Sequence, residues 1–151
     1  MNKFVITTII VAITGVSVIF ASPLFYDTEL NEPAPNSMME NTIASKSYQG
    51  IFMSVNDGIH DVKGDSKILS LNDGSRVLRL ENFKSTNGPD LYVYLSTDIQ
   101  GTDIINLGLL KANIGNQNYE IPNGTNLEKF NKVLIWCKSF SVLFGSAELS
   151  T

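Results

Sequence analysis

Two residues decide what chemistry this 151-residue chain can do, because it has one cysteine, Cys137, and one histidine, His60. A structural zinc site needs four Cys or His ligands, so a single chain cannot build one here. A blue-copper centre needs two histidines and a cysteine, which is again one histidine too many. There is no C-x-x-C-H for covalent haem attachment, and nothing beyond availability points to His60 as a haem ligand. A Ser-His-acid triad would have to use His60, and no G-x-S-x-G elbow is present. Thiol chemistry at Cys137 remains, and packing competes with it as the reason for that residue.

Cys137 shares strand parity with Val133 and Ile135, so its side chain is expected on the same face as two β-branched apolar residues. That favours a buried thiol packed as a small hydrophobe, with its reactivity suppressed. Lys138 falls on the opposite face of an ideal strand and is no obvious activator of the thiol. The rival reading is a redox or ligand role, since an unpaired cysteine in an exported chain is buried, cross-linked or reactive. His60 lies among Asn56, Asp57, Asp61, Asp65 and Asp73, whose spacing matches no EF-hand loop. These read as solvated turn acids, and His60 as a surface or capping histidine. No metal is assigned. Asn123-Gly124-Thr125 fits the N-glycosylation pattern, although an Asn-Gly turn accounts for the same residues.

The elements that must position these residues are strands. Gln49–Val55 is β-rich and ends at Asn56-Asp57-Gly58, a turn signal. Lys67–Leu71 and Arg76–Leu80 flank Asn72-Asp73-Gly74-Ser75 and predict a hairpin, with Leu78 and Leu80 facing the core and Arg79 pointing out. Further strands are expected at Leu91–Leu95, Ile104–Leu110, Asn118–Pro122, Lys132–Cys137 and Ser141–Phe144, leading into Ala147–Leu149. Thr125–Asn131 has room for one turn of helix, capped by Thr125 or Asn126. The pattern predicts an all-β domain, an antiparallel sandwich or barrel of about eight strands.

Ahead of that domain, Lys3 precedes an uncharged apolar run from Phe4 to Ala21, at the lower edge of what spans a bilayer as a helix. Residues 1–24 are expected to be a transmembrane signal anchor or a cleaved signal peptide. Run length and the poor cleavage site favour the anchor. Residues 25–46 carry Pro33, Pro35 and four acids against Lys46, the composition of a flexible acidic linker. Residues 47–151 form one domain, placed outside the cytoplasm on either reading. Its charges are balanced and interspersed with no basic stripe, so nucleic acid is not an expected partner.

With the strands placed, the order of motifs resembles the DM13 domain. The blocks are Gly50-Ile51-Phe52, His60 with Gly64, Val77–Phe83, Thr86-Asn87-Gly88-Pro89-Asp90-Leu91-Tyr92-Val93-Tyr94-Leu95, Asn106-Leu107-Gly108, Lys111, Gly115–Tyr119 and Val133-Leu134-Ile135-Trp136-Cys137. Phe140, Val142, Phe144-Gly145 and Ala147-Glu148-Leu149 complete it. The resemblance implies an extracellular β domain with an electron-transfer or redox role, Cys137 as its redox residue and His60 as a cofactor-binding residue. It names no cofactor. The partners it implies are a redox partner protein or another cell-surface protein, with the membrane reached through the N-terminal helix. The other reading is a non-catalytic extracellular binding or surface-interaction module. On the redox reading, Cys137 and His60 should approach within ligand distance at one cleft.

Overall fold

The computed structural model describes residues 26–35 and 47–151. Eight strands follow in chain order: β1 Gln49–Ser54, β2 Val62–Ser70, β3 Arg76–Ser85, β4 Leu91–Ser96, β5 Ile104–Leu109, β6 Ile114–Ile121, β7 Lys132–Cys137 and β8 Val142–Glu148. They form one antiparallel sheet in the order β5-β4-β7-β8-β1-β2-β3-β6, curled until β5 and β6 approach each other in a nearly closed barrel. The choice between sandwich and barrel is resolved at β1. Its first half, Gln49–Ile51, pairs with β2, and its second half, Phe52–Ser54, pairs with β8, so one short strand joins two halves of the sheet.

Alternation puts Leu78, Leu80, Val93, Leu95, Val133 and Ile135 inside, all fully buried, with Phe52 and Phe83 edge-on to each other at 5.5 Å. The sequence placed β2 and β6 too short because their ends carry polar residues. A bulge between Lys63 and Asp65 faces another between Leu80 and Phe83, and pairing continues on both sides of it. Thr125–Asn131 makes one hydrogen-bonded turn, with Phe130 N–H donating to the Asn126 carbonyl. Asn126 Oδ1 caps it by accepting from Glu128 and Lys129 N–H. The N-terminal run Phe4–Ala21 lies outside the described residues. Among the described residues no helix is long and apolar enough to cross a membrane.

Arg79 points out of the barrel as its parity predicts, yet it is only 6 % exposed. The outer face of the sheet is covered there by a strap, Asp27–Pro33, within the segment whose composition reads as a linker. The strap runs parallel to β6. Leu30 and Glu32 N–H donate to the Ile114 and Asn116 carbonyls, and Ile114 N–H donates to Thr28. Arg79 donates to the Glu32 carbonyl, to Asn118 Oδ1 at 2.9 Å and to Glu81 at 2.8 Å. Burial opposes the charge on Glu32, but the Lys111 ammonium at 2.9 Å and the Asn118 N–H outweigh it and lower its pKa. Gly115 makes the close approach possible, because a Cβ there would stand 2.2 Å from the Leu30 carbonyl oxygen.

Candidate functional site at the barrel mouth

Cys137 is the last residue of β7, and the exposed turn Lys138–Ser141 follows it. Antiparallel pairing brings the end of β1, the start of β2, the start of β4 and the start of β8 to the same end of the barrel. The loops 55–61, 86–90, 110–113 and 138–141 therefore surround one mouth. Cys137 sits inside it, 1 % exposed, in the core cluster with Leu91 and Phe144. Its cross-strand neighbours are Leu91 on β4 and Val142 on β8. The parity reading of a buried side chain beside Val133 and Ile135 holds. Lys138 lies on the other face, its ammonium 5.1 Å from the centre of the Tyr92 ring.

His60 is built by its turn. Asp57 Oδ1 accepts the backbone N–H of His60 at 2.8 Å and of Ile59 at 2.9 Å, and Asp57 Oδ2 lies 2.5 Å from His60 Nδ1. The N–H donated by His60, then that of Ile59, then the imidazole itself, lower the Asp57 pKa to about 2. The other side of the imidazole packs on Phe144, with ring centroids 4.1 Å apart and planes inclined at 47°. Ser54 Oγ donates to Asp61 at 2.5 Å and accepts Val62 N–H, tying the same loop to β1. Asp57 and Asp73 both serve as turn acids, Asp73 by accepting from Ser75.

The fold thus brings His60 and Cys137 to the same end of the barrel without a hydrogen bond between them. Phe144 connects them: it touches His60 and belongs to the cluster that holds Cys137. Sequence reasoning missed residues that hold the thiol's neighbours in place. Gly88 is one, since a Cβ there would meet the side-chain ends of Leu91 at 2.9 Å and Phe144 at 3.0 Å, and one of them would have to shift. Asp90 is another, its carbonyl accepting Lys138 N–H and its carboxylate accepting from Ser139 at 2.8 Å. The signal was present in Gly88-Pro89-Asp90-Leu91, but only the register shows that Leu91 faces Cys137.

Beside these residues lies a cleft of 260 Å³ walled by Gly88, Pro89, Leu91, Leu109, Lys111 and others. Leu91 is therefore shared between the cleft and the thiol's surroundings. The loop on its far side is pinned by buried Gln117, whose Oε1 accepts Lys111 and Ala112 N–H and the Tyr119 hydroxyl. Burial raises the pKa of Tyr119, with the Lys111 N–H acting against it. Among the described residues no three His, Cys, Asp or Glu side chains gather as a metal-binding group.

No similar curated protein and no similar solved structure was found for this chain. A family model described as Electron transfer DM13 matches residues 54–149, which takes in the whole mouth, His60 and Cys137 and leaves out the strap. The chain belongs to the DM13 family.

Proposed function

We propose that this protein is an extracytoplasmic electron-transfer module, anchored by its N-terminal apolar run, in which Cys137 is the redox residue. The family's electron-transfer description carries the reading, together with Cys137 being the chain's one thiol. The run Phe4–Ala21 behind Lys3 supports the location. A lone thiol has no partner within the chain, so the couple is completed by a disulfide of a redox partner protein. The Cys137 sulfur, its proton given to solvent, forms a bond to one partner sulfur as the partner's S–S bond breaks. The other sulfur leaves as a thiolate, reduced by the electron pair. His60, Phe144, Gly88 and Leu91 act as the lid that must open for this exchange.

An aromatic disulfide probe tests it directly. The folded protein should release one equivalent of the coloured thiolate, and C137S should release none. Release only after denaturation would overturn the redox reading. That outcome would favour the second reading, a non-catalytic binding or surface-interaction module, which the burial of Cys137 at 1 % exposure supports.

A further inference from the structure

We infer that the mouth of the barrel docks onto the surface of the bilayer, inserting the apolar tips of its loops. The inference rests on the anchored reading above and adds an orientation to it. Four residues, Ser22–Phe25, separate the end of the apolar run at Ala21 from Tyr26. Fully extended, that connection reaches at most about 18 Å. Asp27 is held at the mouth by Asn113, which donates to its carboxylate at 2.7 Å, and from there the strap climbs β6 away from the mouth. A run seated in the membrane would therefore hold the mouth, and not the far end, against the lipid.

The surface at that end suits the position. Ile59 is 73 % exposed at the tip of the 55–61 loop and Phe140 is 70 % exposed in the turn after Cys137. Tyr26, Val55 and Leu109 are exposed apolar or aromatic residues of the same end. The far end exposes Ile99 and Ile104, and the flank exposes Ile51 and Met53 on β1. Large apolar side chains on loop tips, with an aromatic among them, match the boundary between headgroups and acyl chains. Around them stand Asp27, Glu29, Asp57, Asp61 and Asp90 with Lys63, Lys84 and Lys138, Lys111 being paired with Glu32, so the mouth carries no excess of positive charge. Docking would then be driven by insertion and not by attraction to anionic lipid. The Cys137 lid would open toward the membrane, so its redox partner would be reached at the membrane surface.

The test uses the full chain in liposomes containing brominated lipid, with F140W at the mouth and I99W at the far end. Emission is read above that of the unsubstituted chain, whose one tryptophan is Trp136. Bromolipid should quench F140W at least about threefold more than I99W, equally in zwitterionic and anionic vesicles. Equal quenching at the two positions, in chain that alkaline carbonate leaves in the membrane, would overturn the docking and leave the anchor standing. Release of the chain by carbonate would overturn the anchor and the docking with it. F140W that bromolipid fails to quench, in chains cross-linked in pairs through their mouths, would place a second copy, not lipid, there and overturn the proposal.

Discussion

The imidazole of His60 rests on the ring of Phe144, 4.1 Å between centroids, so the chain's one histidine covers the core cluster that holds its one cysteine. His60→Ala should uncover this part of the mouth. Cys137 labelling by a thiol probe in the folded protein should then accelerate several-fold, with stability falling by about 1 kcal/mol. Leu91→Ala removes the neighbour of Cys137 that also walls the cleft. It should accelerate labelling further and cost about 2–5 kcal/mol in urea unfolding. Labelling that stays unchanged in both variants would mean that the thiol is reached by another route.

Acid should loosen the turn that builds His60. The Asp57 pKa is lowered from 3.8 to about 2, so its stabilising contribution is full above 3.8 and is lost as pH falls through about 2. The amide resonances of Ile59 and His60, which donate to Asp57, should move over that window, and Asp57→Asn should remove the transition.

Arg79 and Lys129 make contrasting ion pairs. Arg79 is buried and donates to Glu81, Asn118 and the Glu32 carbonyl, so Arg79→Ala should cost about 2–4 kcal/mol in urea unfolding. Lys129 meets Asp103 at 2.8 Å with both side chains more than half exposed, and Lys129→Ala should change stability by less than about 1 kcal/mol.

Gly115→Ala should release the strap. Its φ of 109° and the Leu30 carbonyl 2.2 Å from the added Cβ leave no room for a side chain. Hydrogen exchange at the Leu30 and Glu32 amides should rise toward unprotected rates while the core strands keep theirs. Because Glu32 and Glu81 both have lowered pKa values, the strap should also weaken in wild type as pH falls below 4.5.

Much of this was legible in the sequence because period-two alternation reports a buried face directly. β7 matches its predicted bounds, and Val133, Ile135 and Cys137 are inside as their parity requires. The burial of Arg79 was hidden because alternation says which face a residue takes, not whether that face meets water. The strap covering it comes from an acidic, Pro-containing stretch with no strand pattern. Its docking depends on Gly115, Asn113 and Asn118 acting together across about 85 residues of chain. The lid over Cys137 was hidden for a related reason. Gly88, Leu91 and Phe144 are ordinary residues until the register makes them neighbours.

The division of β1 between two partners has a consequence for how the molecule is born. Its second half finds its edge only in β8, through Phe52↔Ala147, Met53↔Ser146 and Ser54↔Gly145, and Gln49 also exchanges hydrogen bonds with Ser150. The first strand of the sheet must wait for its eighth before the sheet can join. Contacts so distant along the chain fold slowly, and the intermediate leaves strand edges bare. The domain is therefore incomplete until β8 has been made, and a chain stopped before Gly145 would have its first strand half unpaired.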